Sequence, residues 1–237
     1  MTISVVIPAC NEEALLGQCL TALALQTRLP DEIIVVDNSS NDSTAAIARR
    51  YNARVIQQVQ SGIWPTAAAG YDAATSECIA RIDADTLVPE TWVETIITSL
   101  VGGTDAITGP ADFYGCKRVR ATLGKVLYMR AYFTLVGLAL GQTPLFGSNF
   151  AMRTTAWKKA RTLVHSSRSD LHDDIDLSYS IKTIAYIPAM KVCVSSRALR
   201  RTPSGITRQF LMGFRTIFLH WPEEAPWRRN RLLRRPA

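Results

Sequence analysis

Apolar runs separated by polar turns recur through the first half of the chain. Residues 2–8 read Thr-Ile-Ser-Val-Val-Ile-Pro, a β-branched run stopped by proline, the pattern of a strand buried on both faces. Leu15, Leu16, Cys19, Leu20 and Leu23 then fall at helical spacing, behind Asn11 as a candidate cap and Glu12 and Glu13 at the positive helix end. Glu32–Asp37 reads as a second buried strand that ends in an aspartate, and residues 54–58 as a third. Single helices between these runs imply parallel pairing with right-handed crossovers. A polar turn at residues 38–44 introduces a helix over 45–51, and residues 66–75 and 90–100 read as further helices, the latter with Pro89 in its first turn. Residues 105–110 make a short strand with a stop. The alternation predicts an α/β fold with a mostly parallel, doubly wound sheet.

The run Ile79-Ala80-Arg81-Ile82-Asp83-Ala84-Asp85-Thr86 ends in two carboxylates one residue apart. In an extended chain such residues project to the same side and face one spot. That suits a hard divalent cation such as Mg²⁺ or Mn²⁺, which takes oxygen ligands and keeps positions for substrate phosphates; solvated aspartates before a helix give the same pattern. In doubly wound sheets ligands bind beyond the carboxyl ends of the strands, where residues 8–12, 37–39 and 83–85 all fall. Neither Gly-x-Gly-x-x-Gly nor a Gly-Lys-Ser/Thr loop follows the first strand, which speaks against a dinucleotide oxidoreductase and a P-loop kinase.

The second half is less regular. Residues 119–141 are mostly apolar but interrupted by Arg120, Lys125 and Arg130, and the clear part, 131–141, is too short to span a bilayer, which predicts a buried or interfacial helix. Residues 144–153 contain a strand with polar punctuation. Asp173-Asp174-Ile175-Asp176-Leu177 reads as a helix start, where acids suit the dipole. Residues 186–195 supply one or two strands, and Ile206, Phe210, Leu211, Phe214, Ile217 and Phe218 recur at helical spacing with Arg208 and Arg215 among them, an amphipathic helix.

Composition fits one compact domain, with 237 residues of which 47% are hydrophobic. Five cysteines without a Cys-x-x-Cys pair suit neither a disulfide framework nor a zinc site, so reduced thiols and a cytoplasmic setting are expected, and no secretory leader is seen. The formal charge of +7 is unevenly placed. Residues 197–237 carry ten arginines against Glu223 and Glu224, a net of +8, which leaves residues 1–196 at −1. Such asymmetry points to phosphates, on nucleic acid or on an anionic membrane.

Taken in order, several blocks resemble the family 2 nucleotide-sugar glycosyltransferases with the GT-A fold. They are Val5-Val6-Ile7-Pro8-Ala9-Cys10-Asn11-Glu12-Glu13, Glu32–Asp37 with Asn38-Ser39-Ser40-Asn41-Asp42-Ser43-Thr44, Gly62 with residues 67–70, Arg81-Ile82-Asp83-Ala84-Asp85, residues 147–153, and Asp173-Asp174-Ile175-Asp176-Leu177. The resemblance covers residues 3 to about 180. It implies a single Rossmann-like domain over residues 1–200, with 1–110 as the donor half and 111–200 as the acceptor half, followed by a basic amphipathic helix and tail at 201–237.

The implied reaction moves a sugar, with inversion, from a nucleoside diphosphate sugar (a UDP- or GDP-sugar) to a hydroxyl of a small or lipid-linked acceptor, with Mg²⁺ or Mn²⁺ as cofactor. Pro8, Ala9, Asn11 and Glu12 would line the base and ribose pocket, with Asp37 and Ser39 on the base. Asp83 and Ala84 would approach the ribose and metal shell, Asp85 would ligate the metal, and Asp174 would be the general base. A carboxylate beside a cation has a lowered pKa while a base gains from a higher one, so Asp174 is expected farther from the metal than Asp85. His220 could complete the metal shell or serve the structure alone. Asn149, Asp173, Arg197 and Arg200 are candidates for acceptor or phosphate contacts, the arginines equally fitting a solvated basic surface. The tail arginines suggest peripheral association with the inner face of the membrane, and nucleic acid is not expected as a partner.

Two departures stand out. Thr66-Ala67-Ala68-Ala69-Gly70 replaces the Ala-Arg-Asn-x-x-Gly that relatives often carry, removing a positive group that Arg81 or the tail arginines would have to supply. The absence of Gln-x-x-Arg-Trp speaks against a processive polysaccharide synthase. Two other readings stay open: a nucleotidyltransferase, which needs a basic glycine-rich first loop where Ala9-Cys10-Asn11-Glu12 is acidic, and a catalytically silent nucleotide-sugar-binding or membrane-docked module.

Overall fold

Every residue of β1 (Ile3–Ala9) is buried, and alternation along it sorts its side chains into two layers. The computed structural model describes residues 1–100, 102–115, 128–197, 203–222 and 225–226. On one face Ile3, Val5 and Ile7 pack with Leu16, Cys19, Leu20 and Leu23 of α1 (Leu16–Ala24) and with Trp92, Val93 and Ile96 of the helix Trp92–Ser99. On the other, Val6 joins Ile34 and Val36 of β2 (Glu32–Asp37) beneath Trp64, Ala67, Ala68 and Tyr71. Those four belong to α3 (Ile63–Ala73), while α2 (Thr44–Arg50) lies between β2 and β3 (Arg54–Gln57) and Trp92–Ser99 is α4.

β4 (Cys78–Arg81) pairs parallel with β1, as β2 does, and β3 extends the parallel set beyond β2. A short β5 (Thr86–Leu87) follows β4, then β6 (Ala106–Thr108), β7 (Ala111–Tyr114), β8 (Phe150–Arg153), β9 (Ile184–Tyr186) and β10 (Val192–Ser195). The main sheet runs β3-β2-β1-β4-β8-β6-β9, and a small second sheet runs β5-β10-β7. β8 is antiparallel to both β4 and β6, the exception in an otherwise parallel sheet. A π-helical segment, Tyr132–Val136, leads into α5 (Gly137–Leu140), and α6 (Thr154–Ala160), α7 (Asp173–Ser180) and α8 (Pro203–His220) complete the described helices.

Several local expectations are corrected. Asn11 does not cap α1, which begins at Leu16 without a side-chain cap. It takes a left-handed backbone (φ 55°), and its side chain accepts the Asn41 N–H at 2.9 Å, tying the first loop to the second. α3 starts three residues before the alanine-rich run, because Pro65 fits its first turn, where no N–H is needed. Within the described part of the 119–141 stretch Met129 and Leu140 are buried while Leu135 and Leu138 stand exposed, so it is half covered rather than fully buried; residues 116–127 lie outside the described residues.

α3 packs so closely on the sheet that Gly70 has no room for a side chain: a Cβ there would come within 2.3 Å of a Val6 methyl and 2.8 Å of a Val36 methyl. Both valines are fully buried in the strands beneath. Gly70→Ala is therefore expected to destabilise by about 2 kcal/mol, seen as a fall of several degrees in Tm by calorimetry. An unchanged Tm would show that α3 lifts off the sheet without cost.

Candidate active site

The carboxyl ends of β1 and β4, the turn before β8 and the first turn of α7 enclose a cleft of about 720 Å³. Asp83 and Asp85 both line it, though not from an extended strand. β4 stops at Arg81, and the chain turns over residues 83–86, with Thr86 N–H donating to the Asp83 carbonyl at 3.0 Å.

Arg81 is buried between two acids. Its Nη2 donates to Asp83 Oδ1 at 3.1 Å, and its Nη1 donates to Asp173 at the start of α7. Ser148 donates its hydroxyl to Asp83 Oδ2 at 2.5 Å, so both oxygens of that carboxylate are held. Asp85 is held differently. Arg197, just after β10, donates through Nε at 3.2 Å and Nη2 at 2.8 Å to Asp85 Oδ2, and through Nη2 at 2.8 Å to Glu12.

Glu12, Asp83 and Asp85 all line this cleft and offer the hard oxygen donors that Mg²⁺ or Mn²⁺ takes. Burial and the neighbouring Asp83 charge push the Asp85 pKa above the usual carboxylate range against the pull of Arg197. Burial does the same for Glu12, again against Arg197 and with help from Asp85 and Asp83. The residues present thus fit a divalent cation by the chemistry of their oxygen donors.

Across the cleft, Asp174 accepts the Gly147 N–H at 2.9 Å on Oδ2 and lies 2.5 Å from His172 Nδ1 through Oδ1. Burial alone would raise its pKa, but the His172 charge, the His172 bond and the Gly147 N–H hold it below the usual range. His172 is the converse: burial opposes its charge, yet Asp174 and then Asp173 push it up to about 9. A raised pKa, expected for a base at residue 174, is not found: the carboxyl is held low by the adjacent His172, itself pushed up to about 9.

Of the residues singled out from sequence, Pro8, Ala9, Glu12, Asp83, Ala84, Asp85, Asp173, Asp174 and Arg197 line the cleft. Asn11, Asp37 and Ser39 do not. Asp37 is buried and accepts from Ser40 N–H at 3.1 Å and Gln57 Nε2 at 2.9 Å, which shapes the loop that presents Asn38 to the cleft. Ser39 is exposed, with its hydroxyl directed to the Gln58 carbonyl. Asn149 is no acceptor contact: it is fully buried, accepting from Trp92 Nε1 and donating to the carbonyls of Pro110 and Met190.

His220 does not join the Asp85 shell either. Its Nε2 lies 2.8 Å from Asp176 Oδ1, which also meets His165 Nδ1 at 3.0 Å, while Asp176 Oδ2 accepts from Trp64 Nε1 and His165 N–H. A carboxylate buried without access to water needs these donors, and His220 is one of them. Arg200 and the arginines at 228–235 lie outside the described residues.

The site also holds residues that sequence reasoning passed over. Gly147, Ser148 and His172 contact the two acids directly, and Gln209 of α8 closes one wall. Only position gave a signal for them: His172 precedes the Asp173-Asp174 pair, and Gly147-Ser148 precedes β8. Arg81 and Arg197 line the cleft, whereas Ala67 and Ala68, on α3, are buried.

Comparison with known proteins identifies the family and the fold. The sequence profile described as Glycosyl transferase family 2 matches residues 4–159. An uncharacterized glycosyltransferase of Mycobacterium bovis is 36% identical over 107 residues, 45% of this chain and 47% of that protein. The 4,4'-diaponeurosporenoate glycosyltransferase of Staphylococcus aureus is 37% identical over 103 residues, 40% of this chain and 27% of that protein. The matched stretches thus span about half or less of these relatives' own lengths. The crystal structure of glucosyl-3-phosphoglycerate synthase from Mycobacterium tuberculosis, in complex with Mn²⁺, uridine diphosphate and glucosyl-3-phosphoglycerate, superposes with a TM-score of 0.60 at 20% identity, covering 94% of this chain and 80% of that one; the shared architecture is the GT-A fold. With the profile running through two thirds of its length, from β1 to α6, the chain belongs to glycosyl transferase family 2.

Proposed function

We propose that the chain is an inverting, metal-dependent transferase that moves a sugar from a UDP-sugar to a hydroxyl of a lipid-linked acceptor, working at the inner face of a membrane. The observation that carries this reading is the convergence on one cleft of the Glu12, Asp83 and Asp85 carboxylates and the buried carboxylate of Asp174. Mn²⁺ and uridine diphosphate in the mycobacterial synthase support the choice of donor and metal. Thermal denaturation with UDP- and GDP-sugars, with Mn²⁺ or EDTA, tests it: a metal-dependent rise in Tm with one UDP-sugar is expected, and no shift with any of them would end the proposal.

Glu12, Asp83 and Asp85 would hold the metal, which when bound neutralises charge on the leaving diphosphate. Arg81 and Ser148 fix Asp83, and Arg197 adds a positive charge at the same edge. On the other wall, Asp174 takes the acceptor hydroxyl proton as the new bond to the anomeric carbon forms and the bond to the diphosphate breaks on the opposite face. Gly147 N–H and His172 aim that carboxylate and keep it ionised at neutral pH.

Asp174→Asn is expected to lower kcat by about 10²–10⁴-fold with donor affinity within about twofold, measured by steady-state turnover and calorimetric titration. Wild-type turnover in that variant would remove Asp174 from the base role. Asp85→Ala should abolish the Mn²⁺-dependent part of the donor-induced Tm rise while Asp174→Asn retains it.

His172 supplies a pH signature. Its folded pKa of about 9 lies above the ordinary 6.5, so folding favours the charged ring. That stabilisation is complete below pH 6.5 and disappears as pH rises through about 9. Tm is thus expected to fall across pH 7 to 9.5 more steeply in the wild type than in His172→Gln; parallel curves would contradict the ion pair with Asp174.

A further inference from the structure

α8 carries its apolar side outward. Thr216 and His220 turn into the protein and Gln209 reaches the cleft, whereas Phe210, Leu211, Phe214 and Phe218 are 54–64% exposed. This reverses the expectation that the apolar stripe of an amphipathic helix covers a core. Phe214 and Phe218 stack with ring centroids 6.5 Å apart, and Phe218 meets the exposed Trp221 edge-on at 6.4 Å, so the outward side is a ladder of aromatic rings. Ile217 packs with Val136 against the cluster of Leu140, Ile175 and Tyr179, and on that same segment Leu135 and Leu138 are 64% and 70% exposed.

An apolar face of this kind, rimmed by polar residues, marks a contact surface. Charge selects the occupant. Arg208 and Arg215 are exposed along the same helix, and residues 197–237 carry a net charge of +8. A second copy of the chain would set this charge against itself, while a bilayer offers anionic headgroups above an apolar interior. Aromatic and leucine side chains with flanking arginines are the composition of helices that lie in the plane of that boundary. Among the described residues no helix is long and apolar enough to cross a membrane, so the contact is one of lying on the surface.

We infer that the outward face of α8, formed by Phe210, Leu211, Phe214, Phe218 and Trp221, docks the protein on an anionic lipid bilayer. α8's inner side meets the site directly: Thr216 accepts the His172 N–H at 2.8 Å, two residues before Asp174, and Gln209 lines the cleft. Docking therefore sets the acceptor wall of the cleft beside the lipid surface. This deepens the proposed function by naming the surface from which an acceptor arrives, and it rests on that reading for the acceptor alone.

Flotation of the full chain with vesicles tests it. The wild type should float with vesicles of equal phosphatidylglycerol and phosphatidylcholine and remain largely unbound with phosphatidylcholine alone. The triple variant Phe210→Ser/Phe214→Ser/Phe218→Ser should lower the bound fraction at least about tenfold. Its melting curve reports whether it folds, and Arg208→Glu, a single exposed change, should weaken flotation independently. Wild-type flotation by the triple variant would overturn the inference and leave any membrane affinity to the arginines at 228–235. A wild type that floats with neither vesicle would overturn it as well, as would light scattering that shows a dimer dispersed by the triple variant. Flotation involves no chemistry, so intact flotation without any donor-induced Tm shift would sink the transferase reading and leave the docking face standing.

Discussion

A guanidinium buried between two carboxylates is the constraint around which the cleft is built. Arg81 ends the central strand β4, and a charge so placed is tolerable only where opposite charges and hydrogen bonds surround it. Asp83 supplies one partner from the following turn and Asp173 the other from α7, 92 residues further along the chain. The strand end that offers Asp83 is thereby locked to the helix start that offers Asp174. The loop carrying Gly147 and Ser148 then closes over the pair, one residue for each acid. Removing Arg81 would leave the buried Asp173 carboxylate facing the partly exposed Asp83 with no cation between them, so its role is positional as much as electrostatic.

The sheet explains why these partners can meet. Side chains of β1, β2, β4, β6 and β8 alternate between the layer of α1 and α4 and the layer of α3 and α6, which fixes register mainly with apolar residues. Polar chemistry is left to the strand ends and the loops beyond them. The antiparallel β8 brings its preceding loop to the same edge at which β1 and β4 finish, and that reversal gives one cleft walls from both halves of the chain.

The first half was legible from sequence because parallel strands buried on both faces read as unbroken β-branched runs, and helices between them leave a clear period. Ile79 to Asp85 announced both the strand and its acids. The antiparallel setting of β8 had no such signature, since four residues, Phe150–Arg153, look alike in either direction. Asn149 was misread because a polar residue beside a strand resembles a site residue until its buried amide is seen bonding to Pro110 and Met190. His220 and Arg197 were opposite cases. Chemistry alone leaves each between a phosphate or metal contact and a structural or solvated place, and only three-dimensional proximity separates the one serving Asp176 from the one serving Asp85. The stripe on α8 was correctly read as helical, yet periodicity says which residues share a side and not which side faces inward.

Asp176 gives the α8 surface a mechanical meaning. Its two oxygens gather donors from Trp64 on α3, from His165 in the loop before α7, and from His220 at the last turn of α8. No helix in that group can move away without stripping a buried negative charge of part of its solvation. α8 is therefore riveted at its far end to the helix that carries Asp174, and is no loose appendage.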